Sequence, residues 1–337
     1  MTMFKRSIEP EIQSPQQSFL LGERSLRAYF AGGNVRFLQD AETNFGALRP
    51  GDKAFDNARF YLGVTKTQLR KTEESIKIFE NLRESADRKF KGQISLQLAY
   101  AHIKNYTAED YKAAEQELNQ ALGFALDSKD TELELQTKAI QVFLYSVLAG
   151  RPKDGDKEVK RQYASKAVDL GEYILKKAAE NSESVQALRF EALNALGITW
   201  MRIGEYDWDG YDRTTSWSRA QRFYDQALLV IPNSVRVLHN LAQLRLLQVE
   251  LGSPDEPSVL LEQAKQYCEL SLEVTDQDQF PFYLLARIAV KSGDIKAAWD
   301  YIYTGRSRPG AVKEKEWAEV EDKARAATKA KVMKALL

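Results

Sequence analysis

The spacing of small and large apolar residues in one stretch of the sequence restricts the possible folds more than any other feature of the chain. Residues 196–206 read LGITWMRIGEY, and residues 220–232 read AQRFYDQALLVIP. Both segments have helical spacing. Small residues let two antiparallel helices approach closely, large residues fill the space beside them, and proline ends the pair. The stretch therefore predicts a helical hairpin. Repetition of such a unit predicts a stacked array, in which each unit contacts its neighbours.

The order of these residues resembles the tetratricopeptide repeat, a unit of about 34 residues. Nine consensus positions are filled in order by Leu196, Gly197, Trp200, Gly204, Tyr206, Ala220, Tyr224, Ala227 and Pro232. Related spacing recurs over residues 62–79, 98–121, 241–268 and 285–298. Residues 132–181 match only in having two helix-length apolar patterns. The first segment, residues 19–50, keeps Tyr29, Gly33 and Pro50 in register but lacks both alanines, so it is either a weak repeat or a cap.

The resemblance implies an all-α fold, a right-handed α-solenoid of about seven helix hairpins with a C-terminal capping helix. We expect residues 1–18 to form a flexible arm, residues 19–310 the solenoid and residues 311–337 the cap. The last helix is predicted because Trp317, Val320 and Ala324 recur at helical spacing, with acids early and basic residues late. Such a helix covers the apolar end that a repeat array leaves exposed.

Composition and charge argue against several classes of protein. The 337 residues include 48 basic and 48 acidic ones, and the sequence pI is near 6.8. No overall field therefore favours nucleic acid or anionic lipid. No stretch approaches the roughly 20 apolar residues of a membrane helix, and the single Cys268 provides no disulfide framework. A cytoplasmic location is predicted. Because Cys268 occupies the slot that Tyr224 fills elsewhere, we expect it to be buried and unreactive.

Four departures from the consensus fall in the turns within hairpins. They lie near residues 105–110, after Gly150, at 207–217 and after Leu251. Equivalent turns of a stacked array lie along one edge, so these insertions predict a continuous ridge, and insertions on one face often mark a binding surface. Its candidate partner-binding residues are Lys153, Trp208, Tyr211, Arg213 and Trp217. The alternative is that the insertions pack against one another and shield helix ends.

The resemblance also implies a concave groove, lined by the first helix of each hairpin, that takes an extended peptide or a partner's helix. Carried over to this sequence, the groove contains Asn57, Phe60, Val64, Glu191 and Phe280, together with the candidate partner-binding residues Asn194, Arg202, Arg236, His239, Gln243, Tyr283 and Arg287. The family's clamp for a C-terminal carboxylate is incomplete, because only Asn194 and Arg236 match it. A ligand of that kind is not expected.

No catalytic, cofactor or metal motif is recognisable. His102 and His239 belong to different hairpins, and the acids of residues 207–217 lack the spacing of an EF-hand. We therefore predict a non-catalytic scaffold or adaptor that binds a protein or peptide partner and needs no cofactor. One alternative is a helical-repeat enzyme, which requires a deep pocket with convergent acids. Another is a nucleic-acid-binding solenoid, which requires a continuous basic stripe.

Overall fold

The computed structural model describes residues 14–105, 107–150, 156–179, 184–206, 211–308 and 312–336. Over these ranges the chain forms fifteen helices and no strand, which confirms the predicted all-α fold. The helices are α1 (Pro15–Gly32), α2 (Val35–Gly46), α3 (Phe55–Gln68), α4 (Thr72–Ser85), α5 (Arg88–Asn105), α6 (Ala108–Ser128), α7 (Thr131–Ala149), α8 (Lys157–Ala179), α9 (Ser184–Tyr206), α10 (Arg213–Val230), α11 (Val235–Glu250), α12 (Pro257–Val274), α13 (Gln279–Ser292), α14 (Ile295–Arg306) and α15 (Glu314–Leu336).

The first fourteen helices form seven antiparallel hairpins, from α1/α2 to α13/α14, which stack in sequence order. Helix α15 packs against α13 and α14, where Trp317, Val320 and Ala324 share a buried cluster with Phe282 and Ile302. The predicted right-handed solenoid of about seven hairpins with a capping helix is confirmed. The apolar end of the last hairpin is therefore covered by the chain itself.

The first helix begins at Pro15, inside the segment expected to form a flexible arm. Ser14 caps it, accepting a hydrogen bond from the backbone N–H of Gln17 at 3.2 Å, while the Gln17 side chain accepts one from the Ser14 N–H at 2.9 Å. This reciprocal arrangement satisfies two donors that a helix start otherwise leaves unpaired. Residues 1–13 of the expected arm lie outside the described residues.

A glycine packed against an aromatic ring sets the separation of helices in several hairpins. A Cβ atom built on Gly63 would lie 2.6 Å from the Phe79 ring, and one built on Gly197 would overlap the Tyr224 ring. No side chain larger than hydrogen fits at either position without movement. The register predicted from Leu62–Gly63 and Leu196–Gly197 is therefore the one that the structure uses.

The first hairpin follows the same rule in a register that the sequence analysis missed. A Cβ on Gly22 would lie 2.6 Å from the Phe45 ring, and the fully buried Ala41 fills an alanine slot. The expected register on Tyr29, Gly33 and Pro50, without either alanine, is wrong. Leu21–Gly22 is the relevant dipeptide, and α1/α2 is a regular hairpin, not a distinct cap.

The extra residues between paired helices lengthen the second helix as well as the turn before it. Helices α8, α10 and α12 begin seven residues before Ala164, Ala220 and Ala264, whereas α14 begins three residues before Ala298. The difference is about one turn of helix. Helix α6 is extended in the same way, so only residues 106 and 107 separate it from α5. Of the residues near the expected extension at 105–110, Asn105 and residues 108–110 are helical and Thr107 caps α6.

The array turns far enough for its first hairpin to meet its sixth. A Cβ atom on Gly33, the residue that ends α1 with a φ of 78°, would lie 3.2 Å from Cγ2 of Val235 at the start of α11. Between these positions lie about 200 residues of sequence. The contact therefore narrows the groove on the inner side of the superhelix, between the first and sixth hairpins.

The glycine contacts predict a contrast between two alanine substitutions. Gly197→Ala should destabilise the protein by about 1–3 kcal/mol, because the new methyl group meets the fully buried Tyr224 ring. Gly123→Ala, in an exposed and open part of α6, should stabilise it by about 0.5–1 kcal/mol. Urea unfolding of both variants measures the difference. Equal stabilities would contradict the proposed role of Gly197.

The single thiol should be inert in the folded protein. Cys268 is fully buried between α12 and its neighbours, and burial raises the pKa of its thiol far above the usual range. The reactive thiolate is therefore scarce and inaccessible at neutral pH. A thiol reagent should modify Cys268 only after denaturant is added. Rapid stoichiometric labelling of the native protein would show that this slot is open.

Candidate functional site

Two surfaces hold the candidate residues: the concave groove along the first helices of the hairpins, and the edge formed by the turns within hairpins. In the groove, α9 and α11 are linked by an ion pair. Arg236 Nη2 lies 2.5 Å from Glu191 Oε1, and its guanidinium carbon is 5.2 Å from the centre of the Phe190 ring. Burial alone would lower the pKa of Arg236, but Glu191 raises it above the ordinary value. Arg236 thus remains charged and already has an intramolecular partner.

A second pair joins the same two helices. Asn240 Nδ2 donates a hydrogen bond to Oδ1 of the buried Asn194 at 2.9 Å. Gln243, one turn further along α11, is half-buried. The amide of Asn194 is therefore committed to holding adjacent hairpins together.

His239 lies inside the stack and does not line an open groove. Its Nε2 is 2.8 Å from Oγ of Ser271, and its ring centre is 5.2 Å from that of Phe280. Burial lowers the pKa of His239, while the charge of Asp278 acts in the opposite direction. Ser271 is fully buried, so its hydroxyl has no access to a substrate. The His239–Ser271 pair has the geometry of a packing contact within the α11/α12 hairpin, and the Phe280 ring belongs to the next hairpin.

Near the C-terminal end, the groove widens into a polar cleft of about 440 Å³ between α11, α13 and α15. Arg287 Nη2 lies 2.7 Å from Glu250 Oε1, and Lys291 Nζ lies 3.5 Å from the same oxygen. Burial raises the pKa of Glu250, but these two cations lower it below the ordinary value. Tyr283 packs edge-on against Trp317, with ring centres 5.6 Å apart. The cleft presents fixed charges of both signs.

The turns after α7, α9 and α11 are tied together along one edge. The Tyr206 hydroxyl donates to the carbonyl of Gly150 at 2.8 Å. Arg213 Nε donates to the carbonyl of Gly204 at 2.9 Å, and its Nη1 donates to the carbonyl of Leu251 at 3.4 Å. Three successive hairpins therefore share hydrogen bonds at their turns. We call the described parts of these segments, residues 150, 156–162, 206, 211–216 and 251–260, the turn ridge.

Arg202 belongs to this edge, although the resemblance assigned it to the groove. Its guanidinium pairs with Glu205 one helical turn away. A Cβ on Gly150 would lie 2.9 Å from Arg202 Nε, so the side chain lies directly beneath the turn after α7. Because the arginine side chain is long, its guanidinium lies away from the Cα atom, at this edge.

Trp217 is a core residue, and the expectation that it anchors a partner is wrong. It is 1% exposed, and a Cβ on Gly204 would lie 2.5 Å from its ring. The predicted loop 207–217 is also shorter than expected, since α10 begins at Arg213 and Asp212 caps it by accepting from the Thr215 N–H at 2.6 Å. Arg213 is likewise engaged in holding the turns.

The sequence carried a signal for this placement. Trp217 precedes Ala220 by three residues, as Tyr111 precedes Ala114 and Leu261 precedes Ala264. All three large side chains are buried. A spacing of three on a helix places residues on the same face, so the apolar position before each alanine marks the start of the second helix and not an exposed turn.

The exposed apolar residues of the ridge are Tyr211, Val159 and Val259. They are 38%, 44% and 51% exposed. Tyr211 also packs edge-on against Trp200, with ring centres 5.8 Å apart, which holds its ring in place. Val159 and Val259 are each the third residue of their helix and were not singled out from the sequence. Lys153 and Trp208 lie outside the described residues.

Clusters of metal-binding side chains and membrane-spanning helices are both absent from the described residues. No group of three or more histidine, cysteine, aspartate or glutamate side chains there could hold a metal ion. Among its helices, none combines the length and apolar character needed to cross a bilayer.

Comparison with solved structures identifies the architecture. The crystal structure of a tetratricopeptide repeat protein from Parabacteroides merdae matches with a TM-score of 0.50 and 13% identity, covering 92% of this chain and 99% of that one. This chain has the tetratricopeptide-repeat fold. No family model and no curated protein matches its sequence.

Two other tetratricopeptide-like structures are more distant. The assembly chaperone of RpL4, Acl4, matches with a TM-score of 0.47 and 14% identity, over 84% of this chain and 99% of that one. Human IFIT1, as a dimer with PPP-AAAA, matches with a TM-score of 0.40 and 17% identity, over 89% of this chain and 70% of that one.

The placements of Trp217 in the core and Tyr211 at the surface predict unequal losses of stability. Trp217→Ala should cost about 3–5 kcal/mol, because it leaves a cavity against Gly204 inside a tetratricopeptide hairpin. Tyr211→Ala should cost less than about 1 kcal/mol, since its ring is partly solvent-exposed. Thermal unfolding followed by circular dichroism distinguishes them. A larger loss for Tyr211→Ala would reverse the assignment of core and surface.

Proposed function

We propose that this protein is a non-catalytic interaction scaffold that binds a protein partner through the turn ridge. The observation that supports this choice is a contrast between the two candidate surfaces. Several predicted groove side chains pair with one another, whereas the ridge presents exposed apolar groups on a hydrogen-bonded base.

The groove residues contribute less binding free energy than the ridge residues, because a ligand must first displace their intramolecular partners. Asn194 and Arg236 bind residues of the neighbouring hairpin, and His239 is buried. A ligand that engages them breaks existing hydrogen bonds and gains only the difference in free energy. Gln243, Tyr283 and Arg287 form a second candidate surface with the polar cleft, which suits an extended peptide carrying both charge signs.

The ridge is suited to binding because hydrogen bonds already hold the ends of its turns. Tyr206 and Arg213 donate to the carbonyls of Gly150, Gly204 and Leu251, which reduces the entropy that binding costs. Partly exposed aromatic residues such as Tyr211 often dominate the binding energy of an interface. Lys153 and Trp208 are proposed members of the same surface.

The chemistry of the ridge favours a folded protein with an apolar patch and a mixed polar rim. Val159 and Val259 lie near exposed residues of both signs, including Lys157, Asp212 and Asp255. A nucleic acid requires a surplus of positive charge, whereas this chain carries equal numbers of basic and acidic residues. Protein recognition therefore accounts for the surface better than phosphate recognition.

The ridge is tested by changing only its exposed residues. The triple variant Val159→Ser, Tyr211→Ala and Val259→Ser should fold normally and retain less than about one-tenth of the partner affinity, since interface anchors each contribute about 1–2 kcal/mol or more. A partner captured from native lysate is first identified by mass spectrometry. Its affinity for each purified variant is then measured by calorimetry.

A matched control changes exposed apolar residues away from the ridge. Leu229→Ser with Tyr303→Ala alters side chains that are 83% and 70% exposed on α10 and α14. This control should bind as the wild type does. If the ridge variant keeps its affinity while Tyr283→Ala with Arg287→Ala loses it, the polar cleft is the binding surface and the proposal is wrong.

A further inference from the structure

The turn between α1 and α2 touches a part of the array that is distant in sequence. Gly33 approaches Val235, the first residue of α11, closely enough that a Cβ would lie 3.2 Å from Cγ2 and 3.3 Å from Cβ of that valine. Val235 is buried, whereas Phe30 and Phe37 on either side of the turn remain partly exposed. The contact is therefore narrow, and it closes the first turn of the superhelix.

Tyr29, at the end of α1, lies among charged and polar groups of the inner surface. Burial raises the pKa of Tyr29, and Arg236 opposes this shift. Tyr100 and Lys104 of α5 also act on it, as does Asp278 before α13. The end of α1 thus faces α5, α11 and the start of α13 at once.

A second group of charged residues lies near the start of α2, beyond the contact between Gly33 and Val235. Arg308 Nη2 lies 3.4 Å from Oδ2 of Asp276 in the turn between α12 and α13. A hydrogen bond from Gln277 holds the pKa of Asp276 below its ordinary value, and Arg308 and then Arg36 of α2 act in the same direction. Arg36 is exposed and therefore contributes through a screened charge.

The closing contact differs in strength from the contacts between consecutive hairpins. The cluster that contains Leu26 and Leu38 continues through α3 and α4 to Ile94 and Leu98 of α5. Among the described residues, no buried cluster joins α1 or α2 to α11, α12 or α13. Because burial of apolar area is the main stabilising term, this contact costs little to break.

We propose that the α1–α2 turn is a gate, and that its contact with α11 opens and closes in the folded protein. In the closed form, α1 covers the inner surface around Tyr100, Lys104 and Arg236. In the open form, the array straightens so that the first hairpin moves away from α11 while the buried cluster that joins α1 to α5 stays intact, and an extended chain from a partner enters. The proposal concerns access to the groove and does not depend on the turn ridge being a binding site.

The gate is tested by the reactivity of a thiol placed on the inner surface. Lys104→Cys introduces the probe beside Tyr100, while the buried Cys268 stays unmodified. Adding Val235→Glu removes the apolar contact, and an acid at the start of α11 is favourable for the helix dipole. Modification of Cys at position 104 by a maleimide should then be several-fold faster. Val259→Glu, the same change at an exposed valine of α12, should leave the rate unchanged.

A distance measurement distinguishes opening from local loosening. Spin labels at Asp40→Cys and Glu273→Cys, both exposed, report the separation of α2 from α12 by pulsed EPR. Without further substitution, the doubly labelled protein should show two populations, one at a short and one at a long distance. Val235→Glu should increase the fraction of molecules at the long distance. If Val235→Glu fails to fold, Arg36→Glu is used instead, because it places a second negative charge near Asp276. A single distance, together with equal rates of maleimide modification in all variants, would overturn the gate. The gate would also be overturned if Val259→Glu accelerated the modification as much as Val235→Glu does.

Discussion

An aromatic ring packed against the backbone of a glycine sets how closely the two helices of a hairpin approach. Gly22 with Phe45, Gly63 with Phe79 and Gly197 with Tyr224 place this contact in three hairpins, and in each case a Cβ would meet the ring. Close-packed interiors tolerate neither a cavity nor an overlap of this size. The small residue and the large one therefore specify each other, and together they set the register of the pair. The stacking of hairpins follows, since each pair then presents a defined surface to the next.

The sequence predicted the hairpins well because this contact is local. Gly197 and Tyr224 lie within one repeat unit, so their spacing is visible without any knowledge of the fold. The first hairpin was assigned to the wrong register because Tyr29 and Gly33 imitate part of the pattern, whereas Leu21–Gly22 carries it. Tyr29 instead contributes to the inner surface, where its surroundings come from α5, α11 and α13. Long-range closure of this kind leaves no periodic signal in the sequence.

The candidate sites were less predictable for a related reason. Extra residues between repeats predict an insertion, but they do not say whether the insertion is loop or helix. Here they extend α8, α10 and α12 by about one turn, which buries Trp217 and exposes Val159 and Val259. In the groove, the residue types were expected, but their mutual pairing was not. Arg236 with Glu191, and Asn240 with Asn194, are contacts between neighbouring hairpins, and only the three-dimensional stack brings them together.

These pairings connect stability with recognition. In a repeat array, stability is approximately the sum of the hairpins and their nearest-neighbour interfaces. Polar cross-links at those interfaces, such as Arg287 with Glu250, restrict how far one hairpin rotates against the next. Side chains used in this way are less available to a ligand, because binding must replace a partner that is already present. In the described part of the turns after α7, α9 and α11, by contrast, Tyr206 and Arg213 bind backbone carbonyls, while Val159, Tyr211 and Val259 remain partly exposed. Under the proposed function, the exposed apolar residues of the turn ridge are therefore the groups that a partner engages without breaking a contact between hairpins.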